Sequence, residues 1–202
     1  MLGAVSNRAY LTVTPWERIY PSFGDLAFEP AAHTALASAG CVPLTWLALF
    51  AAGDLTTHTF DRTPPLTVEA PLARAAVARE RLRARRGALE AWFVDRGPIG
   101  YHVDLLLAHL AGYDGAWISI ELDEIAGLAR DRAAWFAQLR AALAALDRAD
   151  GAAARPLLAE VSTVMLDQRF VTLADAPTAT REERWNFFRL LGEGWARAAA
   201  WD

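Results

Sequence analysis

Two short runs of alternating residues, far apart in the chain, set the terms on which it can fold. In NRAYLTVT, residues 7–14, Ala9, Leu11 and Val13 fall on one side and Arg8, Tyr10, Thr12 and Thr14 on the other. In AWISIELDEI, residues 116–125, Ile118, Ile120 and Leu122 oppose Trp117, Ser119 and Glu121. A period of two is that of a half-buried β-strand. A lone strand leaves its backbone N–H and C=O groups unpaired, so the two runs are expected to meet in one small sheet. Arg8 and Glu121 would then share its exposed side.

The rest of the chain reads mainly as helix. Residues 31–40, AAHTALASAG, are predicted as a short helix ending at Gly40, and residues 43–53 as a second one entered at Pro43 and left at Gly53. LTTHTF, residues 55–60, has the β-branched alternation of a further strand, closed by Pro64 and Pro65. A long helix is expected over residues 70–97, with Gly97 and Pro98 as its stop, and a shorter one over residues 101–115. Three more are placed at about 130–148, 151–169 and 179–200, separated by loops containing Gly151 and Pro177. Residues 16–30 mix aromatics with Pro21, Gly24 and Pro30, and predict an irregular loop anchored by Trp16, Tyr20 and Phe23. This order lacks the regular βα alternation of a doubly wound sheet. It predicts a single α+β domain over residues 1–202: a small, mostly antiparallel sheet covered by several helices, with a helix-rich C-terminal third.

At 202 residues, with eight Trp, nine Phe and four Tyr, the chain can bury a core without staples. All 20 basic residues are Arg, and the formal net charge of −4 argues against general nucleic-acid binding. Cys41 has no second thiol for an intramolecular disulfide, which points to a reducing, cytoplasmic setting. No apolar leader core follows Arg8. The greasiest window, residues 41–52, falls short of the roughly 20 residues a membrane-spanning helix needs.

Familiar catalytic motifs are missing. There is no GxGxxG, no GxxxxGK[ST] and no GxSxG, and without lysine a phosphate loop lacks its cation. Cys41 lies in an apolar run that suits a buried structural thiol better than a nucleophile. His102 and His109 share a helix face but stand about 10 Å apart at 1.5 Å rise per residue, too far for one metal ion. No cofactor, metal or catalytic residue is therefore assigned.

Three groups of residues remain as candidates. ELDE brings Glu121, Asp123 and Glu124 to a place where the chain must turn; paired carboxylates serve acid–base work or cation binding, and otherwise end a strand in solvent. RERLRARR places Arg79, Arg81, Arg83, Arg85 and Arg86 on one helix around a narrow Leu82–Leu89 seam. Of these, Arg79, Arg83 and Arg86 form the alternative basic patch for a phosphate or acidic partner. The tail places Trp185, Phe188 and Leu191 or Gly192 at helical spacing, joined by Phe187 and Trp195, as a helix docking on a core; Trp201 is a further docking candidate.

NRAYLTV, VPLTWLALF and WISIELDEIAGL together resemble a loosely defined family of small bacterial proteins that open with an Asn-Arg-Ser/Ala-Tyr-Leu strand. That resemblance implies an immunity or accessory role beside a toxin gene and carries no catalytic residue. The expected function is a cytoplasmic protein-binding module that neutralises a cognate toxin, meeting it through Arg8, Glu121, Asp123 and Glu124. Two other readings stay open: an enzyme that uses those carboxylates with His102 or His109, and a structural or regulatory subunit of a complex.

Overall fold

The computed structural model describes residues 7–19, 33–61, 63–93, 96–164, 171–172 and 178–192. Its five strands are β1 (Arg8–Thr14), β2 (His33–Ala39), β3 (Leu55–Phe60), β4 (Leu66–Arg74) and β5 (Trp117–Glu121). They form one antiparallel sheet in the order β2-β1-β5-β4-β3. The helices are α1 (Leu44–Leu47), α2 (Ala75–Ala91), α3 (Arg96–Leu110), α4 (Asp123–Ala126), α5 (Arg132–Asp147), α6 (Gly151–Ser162) and α7 (Arg181–Leu191). The fold is α+β, as the strand and helix patterns require.

The two alternating runs are central and adjacent. Tyr10 stands opposite Glu121, Thr12 opposite Ser119 and Thr14 opposite Trp117. Ala9, Leu11, Val13, Ile118 and Ile120 face the helices and join α2, α3, α5, α6 and α7 in one large apolar cluster. The opposite face was expected to be exposed, yet Thr12, Thr14, Ser119 and Glu121 are buried there. The Thr12 and Ser119 hydroxyls share a 2.8 Å hydrogen bond, so each supplies the partner that burial demands. A second, smaller cluster of Ile19, Val68 and Ala70 covers the β4 side.

Several boundaries differ from expectation. Residues 33–39 are strand rather than helix: Leu36 and Ser38 are buried while Ala35, Ala37 and Ala39 are partly exposed, and the segment pairs with β1. Pairing overrides the helix preference of alanine there, and Gly40 ends the strand at φ 70°. The helix expected over residues 43–53 is the single turn α1 followed by a 3-10 turn at Ala52–Asp54. The long helix begins only at Ala75, because residues 70–74 belong to β4.

Gly97 and Pro98 do not stop a helix. They lie in the first turn of α3, where a proline lacks only an N–H that has no helical acceptor. In the C-terminal third, α6 ends at Ser162, with Thr163 left-handed at φ 57°, and α7 ends before Gly192. Tyr20, Phe23, Trp195 and Trp201 lie outside the described residues. The tail helix docks through Phe187, Leu190 and Leu191, all fully buried, whereas Trp185 turns outward and is 42% exposed.

Candidate functional site

Because β1 and β5 are antiparallel, the start of β1 and the end of β5 lie at the same end of the sheet. There β5 passes into the one-turn α4, and the Glu124 carboxylate accepts a 2.8 Å hydrogen bond from the backbone N–H of Arg8. Asp123 pairs with Arg132 at the start of α5. Burial pushes the Asp123 carboxyl above the usual carboxylate range, and Arg132 offsets part of that shift. Glu121 is only 1% exposed and lies beside Tyr10, whose hydroxyl burial holds above its ordinary pKa. Arg8, Asp123 and Glu124 thus come together at one corner, and Glu121 lies beneath them in the sheet.

The same corner presents an apolar group that the sequence did not single out. The turn of α4 closes with the N–H of Gly127 on the Asp123 carbonyl and that of Leu128 on the Ile125 carbonyl. Leu128 is left 59% exposed, the most open of the large apolar residues described. Two carboxylates, Asp123 and Glu124, stand on the turn that leads to Leu128, with Arg8 of β1 and Arg132 of α5 as their partners, so a bare leucine lies beside a small charged cluster.

The arginines of α2 are dispersed over separate ion pairs. Arg79 pairs with Asp114, Arg81 with Asp54, Arg83 with Glu80, and Arg86 with Glu90 and Asp104. Arg85 lies in the Leu82–Leu89 seam itself. It donates to the carbonyls of Ala48 at 2.8 Å and Phe50 at 2.6 Å, and to Asp147 at 2.6 Å. Burial lowers its pKa and Asp147 partly restores it. The positive charge of this helix is spent largely within the chain.

His102 is fully buried among the helices, with Nε2 2.8 Å from the Val171 carbonyl and its ring edge-on to Phe187. Desolvation lowers its pKa to about 4. Glu121 points to the opposite face of the sheet, so period-two geometry keeps that carboxylate apart from the α3 histidine. Among the described residues, no group of three His, Cys, Asp or Glu side chains is arranged to hold a metal ion. Cys41 is buried, 3.1 Å from the Ser38 hydroxyl.

The far end of the sheet carries a hollow of about 330 Å³, lined by Glu17, Leu72, Arg74, Val77 and Trp117 among others. Arg74 lies over the Trp117 indole at 4.3 Å from its centre. Each residue is visible in the sequence, but their meeting depends on β4 pairing with β5.

Compared with family models, curated proteins and solved structures, the chain matches none. No described helix is long and apolar enough to cross a membrane.

Proposed function

We propose that the chain is a protein-binding module and, more narrowly, an immunity protein that neutralises a cognate toxin by covering it. The observation that carries this reading is Leu128, 59% exposed on the turn that also holds Asp123 and Glu124 beside Arg8. An exposed apolar anchor within a charged rim is how a small interface concentrates its binding energy and selects its partner. Glu121 contributes from beneath, by fixing the end of β5 from which α4 departs. The binding surface is the α4 corner, and the partner brings a pocket for the leucine with basic groups around it.

The test is co-expression with the product of the adjacent gene, for the wild type and for Leu128→Asp. The expected result is a stable complex and relief of toxicity with the wild type, and loss of both with a Leu128→Asp variant whose circular dichroism is unchanged. A neighbour that is neither toxic nor retained overturns the immunity reading. A complex indifferent to Leu128→Asp overturns the assignment of this corner.

A further inference from the structure

The hollow at the far end of the sheet has an unusual balance of charge. Of the four charged side chains that line it, Asp54 and Arg81 pair with each other at 2.5 Å. Glu17 and Arg74 are both exposed, and neither makes an ion pair among the described residues. Arg74 lies over the Trp117 ring and reaches the Gly115 carbonyl at 3.4 Å, so its guanidinium is positioned without a carboxylate among the described residues. Between these charges the hollow also carries apolar groups: Val77 is 46% exposed, Leu72 and Trp117 are partly so, and Trp16, next to Glu17 in the chain, is 36% exposed.

One patch therefore offers an acid and a base without ion-pair partners among the described residues, with exposed apolar groups between them. That is the requirement of an isologous two-fold interface, in which a residue i of one copy meets j of the other and j meets i. We infer that this hollow is where a second copy of the chain docks, with Glu17 of each copy pairing with Arg74 of the other across Val77 and Trp117. A partner of a single charge would leave either Glu17 or Arg74 unmatched in the contact. A second copy satisfies both at once, and stacking on Trp117 lowers the ordering cost for Arg74. The inference is independent of the α4 corner, which lies at the opposite end of β1 and β5.

The experiment is sedimentation equilibrium of the purified full chain at low and high salt, with Glu17→Arg, Arg74→Glu, the double reversal and Val77→Asp. Wild type should show a monomer–dimer equilibrium weakened by salt. Each single reversal and Val77→Asp should raise the dissociation constant about tenfold or more, and the double reversal should bring it back to within about threefold of wild type. All three positions are at the surface, and circular dichroism checks that each variant is folded. A wild type that stays monomeric overturns the proposal. So does a dimer that ignores the single reversals, or a double reversal that fails to restore association.

Discussion

The Trp46 indole N–H donates a 2.9 Å hydrogen bond to the carbonyl of Leu191, joining the one-turn helix α1 to the last turn of α7. Beside it the Thr45 hydroxyl donates to the Leu190 carbonyl at 2.6 Å. The last carbonyls of a helix have no partner within it, so these two side chains cap α7 from across the core. Gly192 completes the closure at φ 83°, a left-handed backbone, with no room for a side chain. A Cβ there would lie 2.3 Å from the Trp46 ring and 2.9 Å from the Ala37 carbonyl.

Two substitutions should therefore loosen the same joint. Trp46→Phe keeps most of the apolar ring but removes the indole N–H that donates to the Leu191 carbonyl, at a cost of about 1–3 kcal/mol. Gly192→Ala adds a clash to an unfavourable backbone angle and should cost about 2–4 kcal/mol. Urea unfolding followed by far-ultraviolet circular dichroism measures both. Values near zero for Gly192→Ala would mean that α7 is not seated against Trp46.

Arg85 fills a comparable role on α2. Its guanidinium satisfies the buried carbonyls of Ala48 and Phe50, where the chain runs through the core without regular structure, and ties them to Asp147 on α5. Replacing it by Met leaves those acceptors buried and unpaired, and should destabilise the fold by about 3 kcal/mol or more. Arg85→Lys should recover little of this, because a point-like ammonium lacks the planar fork that serves three acceptors at once. Equal stability of the Lys variant and wild type in urea would contradict that geometry.

The strands that alternate β-branched or aromatic residues, β1, β3 and β5, could be read directly from the chain, and so could the adjacency of β1 and β5. β2 could not, because HTALASA is built from small residues whose local preference is helical until β1 supplies its hydrogen bonds. β4, Leu66–Arg74, was not legible at all: its second half, Pro71, Ala73 and Arg74, leads into the alanines of α2 and reads as the start of that helix. Arg85 could not be told from its neighbours. Spacing places it on the Leu82–Leu89 seam, but only the tertiary structure shows carbonyls waiting there. The acidic corner was legible as a cluster, whereas Leu128 and the Arg74–Trp117 stack were not, since exposure and stacking are set by which elements meet.

Asn186 offers a change in the opposite direction. It is fully buried on α7, and neither its amide nitrogen nor its amide oxygen has a hydrogen-bond partner among the described residues. A buried amide in that condition costs about 1–3 kcal/mol relative to an apolar group of similar size. Asn186→Leu is accordingly expected to raise stability by about 1 kcal/mol or more in urea titrations. A clear loss would show that the amide has an interior partner such as bound water.

The histidine in the helical layer predicts how the protein responds to acid. His102 has a pKa of about 4 in the folded state, against the ordinary 6.5, because burial excludes its charged form. The unfolded chain therefore binds more protons than the folded one between these values, and stability rises with pH across that window. The full contribution is present above about pH 6.5 and is lost as the pH falls towards 4; a shift of this size is worth about 3 kcal/mol. The His102→Leu variant tests this: it loses the Val171 contact, but its stability should be flatter than that of wild type between pH 6.5 and about 4.5. Parallel slopes for the two proteins over that interval, measured from urea midpoints at matched ionic strength, would show that His102 is not the group being titrated.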